Sequence, residues 1–157
     1  MTDPENKPPV PATVTFHNKR NPTLEFRTAE HLDPREKRFV YLSTLETGWD
    51  GHAARAPDSA PINEARKLVT RLASTRSDFK EPAIVPTFNG SIQLEWHSAK
   101  RSLEFEFAGR TWDVLGVDNA KAMNPEFHEE TISVETPEFL ESFYSWFSKD
   151  LPEWPSQ

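Results

Sequence analysis

The stretch "EPAIVPTFNGSIQLEWHSAKRSLEFEFAGRTWDVLGVD", residues 81–118, decides the fold. Ile92, Leu94 and Trp96 alternate with Gln93 and Glu95. Leu103, Phe105 and Phe107 alternate with Glu104 and Glu106, and Trp112 and Val114 continue the pattern. A period of two sends successive side chains to opposite faces of a strand, so each run predicts a strand with one apolar face. Asn89-Gly90 is a strong hairpin signal because both residues tolerate positive φ. Four strand candidates in succession predict an antiparallel meander with one buried face. A four-residue loop at 98–101 would pair His97 with Ser102 and Glu95 with Glu104. A two-residue turn at Gly109-Arg110 would set Glu106 opposite Asp113. Glu95, Glu104, Glu106 and Asp113 would then share the face opposite the aromatic core.

The flanking segments change period. "HLDPREKRFVYLSTLETG" (31–48) predicts a helix, capped by Asp33, opened by Pro34 and stopped by Gly48, with Phe39, Leu42 and Leu45 inward. A second helix is predicted from near Pro61, with Asp58 or Ser59 as cap. Ile62, Ala65, Leu68, Val69 and Leu72 form its apolar stripe, and Arg66, Lys67 and Arg71 stay in water. Downstream, "ETISVE" near 130–135 offers a fifth strand, and Pro137 opens a last helix, "PEFLESFYSWFSK". The predicted class is α+β: two N-terminal helices, a four-stranded antiparallel meander with an optional fifth strand, and a C-terminal aromatic helix. Residues 31–150 form the expected single domain, between a flexible proline-rich tail at 1–30 and a short tail at 151–157. "TVTFH" at 13–17 is a candidate edge strand within the first tail.

Composition narrows the function. A chain of 157 residues supports one ordinary domain. The absence of cysteine excludes disulfides, thiol nucleophiles and thiolate metal sites. A net charge of −7 argues against nucleic acid, which is bound through clustered Lys and Arg. No apolar leader and no run approaching the roughly 20 apolar residues of a membrane span is present. A cytoplasmic protein with no membrane partner is expected.

"GWDGHAARAP" at 48–57 admits two readings. In the structural one, Gly48 ends the helix in a left-handed conformation, Trp49 folds onto the core and Asp50 bonds backbone amides. In the chemical one, Asp50 and His52 act as base or metal ligands with residues from elsewhere. The lysine and Ser/Thr of a phosphate-binding loop are missing after the second glycine. His17, His31, His97 and His128 show no ligand spacing. Turn chemistry accounts for every residue of the loop, so no catalytic residue, metal or cofactor is expected.

The last helix is the other unusual element. Phe139, Leu140, Phe143, Tyr144, Trp146 and Phe147 cover more than half its circumference, and Leu151 and Trp154 follow. One side must be core. The rest is expected either to meet a partner, through Phe139, Phe143, Tyr144 and Trp146, or to lie under the N-terminal tail.

The set Gly48, Trp49, Asp50 and Gly51, then Pro86, Gly90, Leu94, Glu95 and Trp96, resembles a family of small uncharacterised bacterial proteins. These share a GWDG loop and a strand motif of proline, glycine and LEW, and the likeness spans residues 38–115. Members often carry tyrosine after GWDG, where this chain has His52. The resemblance implies a small accessory protein of bacterial or mobile-element origin and supplies no reaction. The expected function is non-catalytic: a protein-binding or regulatory protein of the antitoxin-like, immunity or antiphage-defence kind. Glu95, Glu104, Glu106 and Asp113, or the aromatic helix, would meet a basic or apolar partner, with homo-oligomerisation left open. The alternative is a metal-assisted hydrolase using the sheet carboxylates or the GWDGH loop.

Overall fold

The computed structural model describes residues 32–120 and 123–156. The candidate strand at 13–17 and the proline-rich tail lie outside them. The chain divides into two units, Met1–Lys37 and Arg38–Gln157. In the first, Asp33 Oδ1 accepts from the Glu36 N–H at 2.9 Å, the expected cap.

The elements run α1 (Pro34–Ser43), α2 (Ser59–Thr75), β1 (Ala83–Pro86), β2 (Ile92–His97), β3 (Arg101–Ala108), β4 (Thr111–Asp118), β5 (Glu126–Ser133) and α3 (Pro137–Ser148). The class is α+β. All five strands form one antiparallel sheet in chain order. Short turns between successive strands make this order the default.

The alternation read from the sequence becomes two different faces. Ile92, Leu94, Trp96, Leu103, Phe105, Phe107, Trp112 and Val114 all point inward and are buried. They meet Phe39 and Leu42 of α1, the stripe Ile62, Ala65, Leu68, Val69 and Leu72 of α2, and the inner side of α3 in one cluster. Burying each such side chain contributes about 1.5–3 kcal/mol. Both long helices pack on this one face. The other face carries the intervening residues.

Four elements depart from expectation. Helix α1 stops at Ser43 rather than Gly48, where Ser43 and Thr44 turn their hydroxyls back onto the Val40 and Tyr41 carbonyls. Such back-bonding competes with helix continuation. Asp58 stands at the N-cap of α2 without a side-chain cap bond, its carboxylate being held by Arg55 at 3.2 Å. The loop at Asn89-Gly90 spans Thr87 to Ser91, and only Gly90 takes positive φ, at +88°. β5 begins at Glu126, four residues before the strand signal in the sequence.

Candidate functional site

The GWDG loop proves to be a clasp. Gly48 and Gly51 both have positive φ, +85° and +81°, which β-carbon-bearing residues rarely adopt. Asp50 Oδ1 accepts from the N–H groups of His52 at 2.9 Å and Ala54 at 3.3 Å. The first of these bonds is the main reason its carboxyl sits below the usual range. The loop then reaches the turn between β1 and β2. Arg55 N–H donates to Phe88 O, and Asp58 N–H to Gly90 O, each at 2.9 Å. A β-carbon on Gly90 would lie 3.0 Å from Ala56 O, so this approach requires glycine. The two segments thus bind each other, and the His52 side chain is exposed beside the Asp50 carboxylate. Trp49 does not reach the core. It is half-buried, and its indole N–H donates to Arg55 O at 3.0 Å, which closes the loop on itself.

The expected aromatic surface of α3 is not there. Phe143, Tyr144 and Trp146 are buried, and only Phe139 of the four stays half-buried. Two sources of cover explain the surplus. The Tyr144 hydroxyl is tied to the 78–80 segment, donating to Asp78 O and accepting from Lys80 N–H. Trp154, from the segment after the helix, packs on Phe143, Trp146 and His128 at ring separations of 4.7, 4.9 and 5.0 Å. The short C-terminal tail therefore carries part of the core packing.

Sequence reasoning missed Arg101, which opens β3 with its side chain only 7% exposed. It forms a charge-assisted pair with Asp118, its register partner, at 3.0 Å. It also donates to Trp146 O near the end of α3 at 2.6 Å and lies over the Trp146 ring. One cation thereby joins the sheet to the C-terminal carbonyls of a helix, where positive charge is favoured. The alternation that sends Leu103, Phe105 and Phe107 inward sends Arg101 inward too, but an apolar pattern passes over a charged residue.

The carboxylates of the meander do assemble. The register sets Glu95 beside Glu104 and Glu106 beside Asp113, as the turn lengths predicted. Across the sheet one row runs Ala83, Glu95, Glu104, Leu115, Glu129, and the next runs Val85, Gln93, Glu106, Asp113, Thr131. Glu129 is a fifth carboxylate on this face, missed because β5 starts earlier than its sequence signal. No strand position on the face holds Lys or Arg. Gln93 donates to Glu104 at 2.6 Å, the His97 ring lies 3.3 Å from Glu95, and Thr131 donates to Asp113 at 3.0 Å. Partial burial, then the adjacent Glu95 charge, push the Glu104 carboxyl above the usual carboxylate range. Leu115, Val117 and Phe127 make an apolar corner beside these acids, and Phe127 is 65% exposed.

Among the described residues no three His, Asp or Glu side chains converge as a metal site. A hollow of about 530 Å³ borders Asp113, Glu129 and Thr131, but it lies open along the sheet rather than enclosing a substrate. No helix among the described residues is long and apolar enough to cross a membrane. Comparison of the chain with protein-family models, curated proteins and solved structures returns no match.

Proposed function

We propose that this chain is a non-catalytic protein-binding module, a regulatory accessory protein that docks a basic partner on the helix-free face of its sheet. The observation that carries the reading is the row structure of that face. Five carboxylates stand in adjacent register with no strand-borne Lys or Arg between them, next to an apolar corner. Like charges directly opposite weaken a sheet, so this arrangement costs stability unless something opposes it. A cationic partner neutralises the row, and complementary potentials speed and orient its approach. Glu104 supports the reading further, since the fold already disfavours its charge. Masking or regulating that partner, as antitoxins and immunity proteins do, is the role we assign. The burial of Phe143, Tyr144 and Trp146 leaves the aromatic helix little apolar surface to offer, which favours the sheet face of the two candidate surfaces.

A paired affinity capture from the native host tests this. Wild type and the Glu104→Lys/Glu106→Lys double variant are immobilised side by side and washed at low and high salt. The expected result is a basic protein held by wild type, released by salt and absent from the variant. Equal capture of the same protein by both would overturn the reading.

A further inference from the structure

Among the described residues the sheet has two edge strands, β1 and β5, that are built differently, and the hydrogen-bond parity shows how. In an antiparallel ladder the bonded pairs recur at every second residue. Val134 N–H donates to Arg110 O at 3.1 Å, which fixes the parity of the β4–β5 ladder. With the register Trp112 to Ile132, the inward-bonding residues of β5 are Glu126, His128, Glu130 and Ile132. The N–H and C=O groups of Phe127, Glu129 and Thr131 therefore point out of the sheet. They have no partner among the described residues.

At the opposite edge, Thr87 N–H donates to Ser91 O, so Ala83 and Val85 bond to β2, and Ile84 and Pro86 face outward. Pro86 has no N–H to offer, nor has Pro82 just before the strand. The Ile84 carbonyl is already taken by Arg38 Nε at 2.9 Å. One edge is short and stopped. The other is twice as long, with no proline and no lysine along it. An open edge of that kind is a template for another strand.

We propose that the β5 edge receives an extended, Lys- or Arg-bearing segment of the partner protein, which joins the sheet as an added strand; this rests on the docking reading above. Main-chain bonding to Phe127, Glu129 and Thr131 supplies affinity, and the side chains choose the occupant. A second copy of this chain is rejected. In the two antiparallel registers of greatest overlap between copies, Glu129 faces Glu129 or Glu130 faces Glu130. A basic segment instead meets Glu129 on one face and Glu126 and Glu130 on the other. Exposed Phe127 provides an apolar cross-strand neighbour.

The test uses the full chain and synthetic peptides of about nine residues, the length of an ordinary strand. One alternates lysine with valine, and a second has the same sequence with alternate backbone amides methylated. The first is expected to bind and to slow amide exchange at Phe127, Glu129 and Thr131. The methylated peptide, and Thr131→Pro against the plain peptide, should each bind roughly tenfold more weakly through loss of main-chain bonds. Proline at 131 removes an N–H that β4 does not use, so the fold is retained, and Thr131→Ala controls for the hydroxyl. Equal binding of both peptides, abolished only by Glu104→Lys/Glu106→Lys, would overturn strand addition while leaving the acidic-face reading intact. Binding of neither peptide would overturn both. A wild-type dimer in sedimentation that Thr131→Pro dissociates would show the edge to be filled by a second copy and overturn the proposal.

Discussion

Gly116→Ala is expected to unseat Trp154. Gly116 sits in the middle of β4 on the core face, where alanine is sterically ordinary for the backbone. A β-carbon there would lie 2.1 Å from Trp154 Cζ3 and 2.6 Å from Cη2, far inside contact distance. The ring cannot slide aside, because His128 stacks on it with an 11° interplanar angle and Phe143 and Trp146 close the other sides. The methyl therefore expels the indole. Truncating a fully buried tryptophan costs about 3–5 kcal/mol. Trp154 is half-buried and its indole N–H is buried without an acceptor among the described residues, so expulsion regains some hydration. The loss then falls to about 2 kcal/mol, or roughly 4–8 °C in melting temperature for a chain of this size. A double-mutant cycle in thermal or urea denaturation isolates the effect. Trp154→Ala should cost about as much as Gly116→Ala, and the double variant little more than either. Simple additivity of the two losses, or an unchanged melting temperature in Gly116→Ala, would refute the slot.

Other substitutions separate structural from binding residues. Trp49→Ala should lose about 1–2 kcal/mol, less than a core truncation, since it removes one hydrogen bond and a half-buried ring. His52→Ala should match wild type in both stability and partner capture; a binding defect in folded protein would restore a chemical role to the loop. Arg101→Met should cost about 3 kcal/mol in urea titration by stranding Asp118 and the Trp146 carbonyl. Glu104→Gln should raise the melting temperature at neutral pH and leave it unchanged in acid. The fold raises the Glu104 pKa, so its contribution is fully present below the unfolded value and is lost as pH rises through the folded one. A Glu104→Gln gain that grew toward low pH would contradict the repulsion.

The sheet was legible because its turns are short. Once Gly109-Arg110 is a two-residue turn, Glu106 must face Asp113, and alternation assigns every neighbouring side chain to a face. β5 was harder to see. Only Ile132 of that strand enters the core, so an edge strand of glutamates lacks the alternating signal. Aromatic coverage of α3 looked like a surface because helical periodicity cannot show what returns to cover it. Here Trp154 and the 78–80 segment return from elsewhere in the chain. Trp49 was misplaced for a similar reason: its partner is a carbonyl six residues away, not the core. The GWDG and Pro86–Trp96 motifs were visible as a pair, but only the backbone bonds from Arg55 and Asp58 reveal that one exists to hold the other.

The most direct measurement is the salt dependence of affinity for the captured basic partner, taken on wild type and on Glu104→Lys/Glu106→Lys. Screening shortens from about 10 Å at 0.1 M salt to about 3 Å at 1 M. Docking through the carboxylate rows is expected to give a wild-type Kd that weakens roughly tenfold or more across that range, with a charge-reversed variant that binds weakly throughout. A wild-type Kd that is flat with salt, or a variant that binds as tightly as wild type, would contradict the acidic face as the docking surface.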